Sequence, residues 1–475
     1  MTTTTTPPTN APQVAAPVPP PAPAQSRGAS SLPLLLIILA PLVSLWALFA
    51  MAAPAFASGG WSAFVQTTLR SPHFILLALV HVVIVLGLLR GRYWGWKGIQ
   101  LLWALDVFLK VMTSHTHLTW ALLSVLPLVA GMILVNTRST RQFCNTDQHG
   151  PMTEMGSLIG LLFVATLFAV LSRVVDNASP FATADNLELM CRQTSVVGTA
   201  ALGMTLIIIS GGIDLSVGSN IALSTIVLAQ VLNMMSGRNG IVPATAGVAT
   251  AAAAGLLIGT LITGLRLSPF IITLGMWGSL RGLATGLAGN QSVYPNPPGV
   301  WRQTFLNGLI SNLPAGKRWM LVPPGVWMLI ILAILVGLML RYTRFGRHIF
   351  AIGSNEQTAR LCGIAIDRTK IQIYALAGAL VGLASVLEFS YVGIGNPTGR
   401  QGAELDVIAA VVIGGASLSG GQGSVFGALI GALIMTMVAN GCTKLGLQNW
   451  VQQIATGVII IIAVSLDRLR HRRAA

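Results

Sequence analysis

Only 13 carboxylates occur in a chain of 475 residues, so each acidic side chain within an apolar stretch is a candidate for chemistry. Glu404 and Asp406 open an apolar segment that runs to Gly415. Acid–base carboxylates of the glycosidase kind face each other across a cleft, whereas acidic groups at a helix start meet the positive end of its dipole. Two residues of separation fit the second role, with a place in a polar pathway as the other reading. Glu388, inside Ile371–Val392, is the better candidate for a buried pathway group, and an internal hydrogen bond is its alternative. Asp106 and Lys110, at i and i+4, read as a mutual ion pair or as groups at the membrane interface, with a proton or ion path as the sharper alternative. Cys144, Cys191, Cys362 and Cys442 form no C-x-x-C pair, so neither a zinc site nor a disulfide framework is indicated. Residues 418–422, LSGGQ, offer a serine hydroxyl and glycine amides of the kind that hold phosphate. A phosphate cradle G-x-x-x-x-G-K-[ST] is missing, because Gly316-Lys317 and Lys444 lack the flanking residues. The chain therefore reads as non-enzymatic, with no catalytic residue, cofactor or metal site.

The elements that position these residues follow from composition. Hydrophobic residues make up 53% of the chain and charged residues 9%, against roughly a quarter charged in soluble proteins. Such a chain cannot cover a water-facing surface. Apolar runs approaching the ~20 residues of a bilayer crossing recur at Leu32–Ala52, Phe74–Leu89, Leu118–Val135, Met155–Val175, Thr199–Ile213, Val217–Met234, Ala244–Leu265, Val326–Leu340, Ile371–Val392, Val425–Val438 and Ile454–Leu466. The expected fold is all-α, a polytopic helical bundle in contact with membrane lipid. The net charge of +15 belongs to topology. Arg341, Arg344, Arg347, Arg360, Arg368 and Lys370 share one loop, and Arg468, Arg470, Arg472 and Arg473 close the sequence. Basic residues between spans mark cytoplasmic loops; a nucleic-acid binder would gather them on one face of a soluble domain.

Three regions are expected. Residues 1–31, a threonine run followed by a proline- and alanine-rich stretch, read as a disordered tail. Residues 32–153 hold about four spans, including a weaker one near Ile99–Thr113; Leu32–Ala57 reads either as the first span or as a signal ending at Ala55-Phe56-Ala57. Residues 154–475, after the turn signal Gly150-Pro151, thread about ten membrane segments. That threading places loop 341–370 and the C-terminus in the cytoplasm and Asn290–Pro324 outside.

Gly211-Gly212 interrupts an apolar helix, and Asp214 and Ser216 are suited to cap the next one. Residues 211–218, GGIDLSVG, and 414–421, GGASLSGG, both fit GG-x-x-LS-x-G. LSGGQ thus reads as the second copy of a helix-break device, with Gly414 and Gly415 ending one helix and Ser419 capping the next. Broken helices at membrane depth occur where backbone is buried in protein or lines a cavity, so Gly211, Gly212, Asp214, Ser216, Gly218, Gly414, Gly415 and Ser419 are the candidate gate. Gly255 with Gly259, Gly378 with Gly382, and Gly423 with Gly427 and Gly431 have the four-residue spacing of close membrane-helix packing.

Four stretches carry a family resemblance: Ala201–Ser219, ALGMTLIIISGGIDLSVGS; Ser268–Gly282, SPFIITLGMWGSLRG; Arg344–Ile364, RFGRHIFAIGSNEQTARLCGI; and Glu404–Gly415, ELDVIAAVVIGG. In this order the chain, from about residue 180 to 466, resembles the sugar-type inner-membrane permeases of bacterial ABC importers, the ribose, xylose and arabinose group. The resemblance implies a type II importer permease bundle with extra N-terminal helices. It implies a separate ABC ATPase, a periplasmic or extracellular sugar-binding protein, and pairing as a homodimer or with a second permease. It makes the region of Asn355, Glu356, Ala359 and Gly363 the coupling element that seats in the ATPase, with Gln357-Thr358-Ala359 standing where a double alanine is common. Asp214-Leu215-Ser216 favours a pentose or hexose over the branched-chain amino acids of related permeases. A permease for an amino acid or a sugar-derived signal, and an ion-coupled secondary transporter using Asp106 and Lys110, are the alternatives.

Overall fold

In hydrocarbon, backbone groups must find their hydrogen bonds within the chain, and every regular element among the described residues is helical, apart from an isolated bridge between Val293 and Gly395. The computed structural model describes residues 40–44, 72–89, 97–106, 153–175, 181–237, 239–297, 299–310, 322–448, 450–459 and 461. In chain order the named helices are α1 (Pro72–Leu89), α2 (Thr153–Val174), α3 (Ala184–Ile209), α4 (Val217–Met234), α5 (Ile241–Leu265), α6 (Pro269–Leu287), α7 (Phe305–Ile310), α8 (Pro324–Tyr342), α9 (Arg344–Ser354), α10 (Glu356–Leu361), α11 (Ile366–Val392), α12 (Ala403–Ile413) and α13 (Val425–Lys444). The tail 1–31, the span Leu118–Val135, Lys110, the signal-like Ala55-Phe56-Ala57 and the basic C-terminus lie outside the described residues.

Among the described residues, seven helices are long and apolar enough to cross a membrane: α2, α3, α4, α5, α8, α11 and α13. Of these, α3, α4, α11 and α13 are buried along most of their length, while α2, α5 and α8 turn most residues outward. The outward side chains include Leu256, Leu257, Ile331, Ile334 and Leu335. Apolar residues outside as well as inside are what a bilayer solvent requires. Helix α12 has 11 residues, which at a rise of ~1.5 Å gives about 16 Å, half of the ~30 Å hydrocarbon thickness. It does not cross alone.

Helix α11 occupies the centre, packed on α3, α4 and α5. Its contact with α5 is made by the glycines singled out above. A Cβ on Gly259 would lie 2.8 Å from Ile371 Cα, one on Gly382 2.7 Å from Val248 Cα, and one on Gly255 3.0 Å from Gly378 Cα. The two helices touch backbone to backbone, the close approach that small residues permit. Gly427 and Gly431 serve the same purpose in α13, against the Gly414 and Ala410 carbonyls of the α12 segment. Polar ties add to the packing: the side-chain amides of Asn186 (α3) and Asn440 (α13) exchange hydrogen bonds of 2.9 and 3.0 Å in the interior.

Two elements differ from the sequence reading. Helix α3 begins at Ala184 rather than near Thr199, because Glu188 and Arg192 pair within one helical turn at 3.0 Å. Helix α6, 19 residues, is absent from the apolar runs because it carries Arg281, whose Nη1 donates to the Pro397 and Gly399 carbonyls at 2.7 and 2.8 Å. Asp106 sits 3.0 Å from His81 Nε2, both side chains buried.

Candidate functional site

Helices α3 and α12 end in the same way. After α3, Gly211 N–H reaches the Ile208 carbonyl and Gly212 N–H the Ile207 carbonyl; after α12, Gly415 N–H reaches Val412 and Ala416 N–H reaches Val411. Each is a glycine-terminated helix end, with φ of +82° at Gly211 and +96° at Gly415. The equivalent residues are thus Gly211 and Gly415, one position out of step with the GG-x-x-LS-x-G alignment. The segments that follow also differ: α4 resumes at Val217, whereas α13 resumes only at Val425.

The capping expectations need correction. Ser216 precedes α4 but makes no side-chain cap bond. Its N–H and hydroxyl both donate to Asp214 Oδ1, at 2.7 and 2.6 Å, so Asp214 folds the loop onto itself instead of capping a helix. Ser419 does not cap α13 either. The cap is Ser424, whose Oγ accepts from Gly427 N–H at 2.9 Å; it lies five positions after Ser419, because the second loop has more chain to place.

The loops after α3 and α12 meet at a third glycine. Gly353, in the last turn of α9, lies with no room for a side chain against the Ile209 carbonyl, and a Cβ there would be 2.6 Å from Gly421 N. Gly421 N–H itself donates to the Ile209 carbonyl at 2.8 Å. A Cβ on Gly420 would be 2.7 Å from the Gly353 carbonyl and 3.0 Å from Gly211 Cα. The end of α9, the end of α3 and the LSGGQ loop therefore form one backbone junction. Sequence inspection passed over Gly353, since a single glycine in a polar loop gives no signal.

Immediately after this junction, Asn355 closes α9 and starts α10, its Oδ1 accepting from Thr358 N–H at 2.9 Å. Glu356 bridges Lys370 at 2.8 Å and Arg360 at 3.7 Å. Ala359 packs inward with Ile352 and Ile366, and Gly363 takes the left-handed φ of +80° that ends α10. Gln357, Thr358 and Arg360 face outward, and so does Leu361, with 88% of its surface exposed. Leu361 is thus a large apolar residue presented among polar ones on a short helix, and like Gly353 it was not singled out in the sequence.

On the far side of the first break, Gly218 packs directly on Glu404 Oε2 and the Arg400 carbonyl. Glu388 is paired with the Arg400 guanidinium, so the residue singled out as the better pathway group is already matched. Glu404 is buried, with Oε2 accepting no hydrogen bond from the protein, while Asp406 lies near enough to Arg400 for their charges to interact. Removing Arg400 leaves Glu388 unmatched. Breaking a fully buried pair costs about 3–5 kcal/mol; with both side chains partly exposed, Arg400→Gln is expected to lower stability by roughly 2 kcal/mol. The double variant Arg400→Gln/Glu388→Gln should recover part of that loss in a thermal-unfolding cycle, and strict additivity would remove the pairing.

Long apolar helices around two abrupt helix ends, with irregular backbone buried among them, define a membrane transporter. The chain belongs to the family described as "Branched-chain amino acid transport system / permease component", which it matches over residues 186–464. Among curated relatives, the ribose import permease of Escherichia coli K12 is 39% identical over 321 residues, covering 67% of this chain and 95% of the relative. That of Bacillus subtilis is 36% identical over 319 residues, 67% and 94%, and the xylose transport permease of Haemophilus influenzae is 33% identical over 365 residues, 66% and 96%. No solved structure matches. The relatives are covered almost whole, so about a third of this chain has no counterpart in them.

Proposed function

We propose that this chain is the membrane-spanning permease subunit of an ABC importer that carries a monosaccharide, pentose or hexose, into the cell by alternating access. The observation that carries the mechanism is the junction at Gly353, where α9 meets the end of α3 and the LSGGQ loop that follows α12 through backbone contacts. On this reading α10 is the coupling element. The ATPase grips Leu361 and its polar neighbours, and its closure pulls α9 and α10 as one piece, because Asn355 caps the second helix as it ends the first. With no side chain at Gly353 to absorb the motion, the displacement passes directly to the loops after Ile209 and Ile413, the proposed gate. A soluble sugar-binding protein delivers the cargo on the opposite face, two permeases form the working unit, and residues 32–153 are an added membrane region. Multi-pass insertion with α10 and the C-terminus in the cytoplasm follows from the basic residues around them.

The sugar assignment is supported by the relatives named for ribose and xylose and by Asp214-Leu215-Ser216. The family description itself keeps an amino acid as the second reading. Leu361→Asp, at an exposed position, should leave the permease folded and abundant but weaken capture of its ATPase about tenfold or more in a pull-down, as expected for a central contact residue. Gly363→Val, forced into a left-handed φ, should uncouple ATP hydrolysis from uptake; normal capture and uptake in both variants would remove the coupling assignment. The purified chain alone is expected to show only background ATP hydrolysis, LSGGQ notwithstanding.

A further inference from the structure

Buried polar atoms without a protein partner are few in native proteins, and each costs stability, yet several gather beside the first helix break. Glu404 Oε2 is one, on a residue with only 8% of its surface exposed. Arg281 contributes Nε and Nη2, and Trp277, one turn earlier on α6, contributes its indole Nε1. Helix α4 adds the Ser219 hydroxyl, on a fully buried residue.

Glu404, Arg281 and Ser219 are tied to one place, and Trp277 lies one turn from Arg281 on α6. Gly218, next to Ser219, packs on Glu404. Arg281 holds the Pro397 and Gly399 carbonyls of the loop leading into α12, and its charge interacts with that of Glu404. Helix α6 packs on α4, and its Thr273 hydroxyl donates to the Ile213 carbonyl within the break at 3.2 Å. The backbone bonds fix the Arg281 side chain through Nη1 and leave its other edge unused.

We propose that Trp277, Arg281, Glu404 and Ser219 contact the sugar as it passes between α4, α6 and α12, an inference that rests on the sugar-import reading above. The donor set suits an uncharged polyol. A guanidinium edge and a carboxylate oxygen serve neighbouring hydroxyls as donor and acceptor, and their opposite charges counter each other without a charged ligand. A tryptophan offers an apolar face to ring C–H groups together with a polar N–H. Glu388 and Arg400, satisfied by each other, form the wall beside this path.

The test uses the complete transporter, with ATPase and binding protein, in proteoliposomes, measuring uptake of labelled ribose, xylose and fructose alongside ATP hydrolysis. Glu404→Gln is expected to cut uptake about tenfold, the scale of one lost charged hydrogen bond, and Trp277→Phe about threefold or more, the scale of a neutral one, and both to change the ratio among the sugars. ATP hydrolysis stimulated by the loaded binding protein should stay within about twofold of wild type, since neither residue touches the Gly353 junction. Ser219→Ala, which removes a buried hydroxyl without a protein partner and therefore does not threaten folding, should alter the sugar ratio at normal ATP hydrolysis. Unchanged uptake and ratio in these variants, or uptake falling strictly in step with ATP hydrolysis, would overturn the assignment. Wild type that imports none of the three sugars would instead strike the sugar-import reading itself.

Discussion

Gly353→Val should abolish sugar import while leaving the ATPase bound. Its Cβ would be driven into the Ile209 carbonyl and come within 2.6 Å of Gly421 N, so either α9 shifts or the 2.8 Å bond between Gly421 N–H and the Ile209 carbonyl breaks. Backbone cannot move aside as the end of a flexible side chain can. Overpacking of this kind costs about 1–3 kcal/mol, and a buried carbonyl stripped of its donor adds about 1 kcal/mol or more. That sum displaces the junction without unfolding a bundle held by α11. The expected readout is normal membrane level, ATPase capture near wild type because Leu361 is untouched, and uptake reduced to background. Gly353→Ala should fall between. Wild-type uptake by Gly353→Val would mean that α9 does not transmit motion through this contact.

The second large effect lies in the bundle. Gly378→Leu should prevent accumulation of folded protein. A Cβ at this position would press on the Ala251 carbonyl and lie 3.1 Å from Gly255 Cα, and a leucine adds three further carbons where helices α5 and α11 touch backbone to backbone. Separating them weakens the contact along Gly255, Gly259 and Gly382 as well, and the cost, several times the ~1–3 kcal/mol of a single overpacked methylene site, approaches the 5–15 kcal/mol that stabilises a typical domain. The check is the detergent-soluble monodisperse fraction and its melting temperature, with Gly275→Leu as control, since a Cβ there meets nothing within 4 Å. Equal behaviour of the two variants would remove the packing claim.

What could be read from the sequence divides along physical lines. Apolar length reports a span directly, so α4, α5, α8, α11 and α13 were legible to within a few residues of one end or both. Charges concealed α6 and the first half of α3, because Arg281 and the Glu188–Arg192 pair are compensated only by partners that folding supplies. The helix ends at Gly211 and Gly415 were visible as glycine pairs, whereas the one-residue offset between them rests on which amide reaches which carbonyl. Ser419 and Ser424 are equally good caps in composition, and only loop length chooses. The cationic partner of Glu388 was hidden for the same reason as the Gly353 junction. Arg400 is 12 residues away across a turn, and Gly353 meets Ile209 and Gly421 across more than sixty residues in each direction, contacts that a glycine makes with no side chain to advertise them.

Those contacts carry weight only if a separate ATPase drives the motion. The direct measurement is accumulation of labelled sugar in sealed vesicles containing this permease, its ATPase and the binding protein, with ATP inside or outside as topology requires and a protonophore present. The account predicts accumulation that depends on ATP hydrolysis and ignores the protonophore. Accumulation by the permease alone, driven by an ion gradient and abolished by the protonophore, would contradict it.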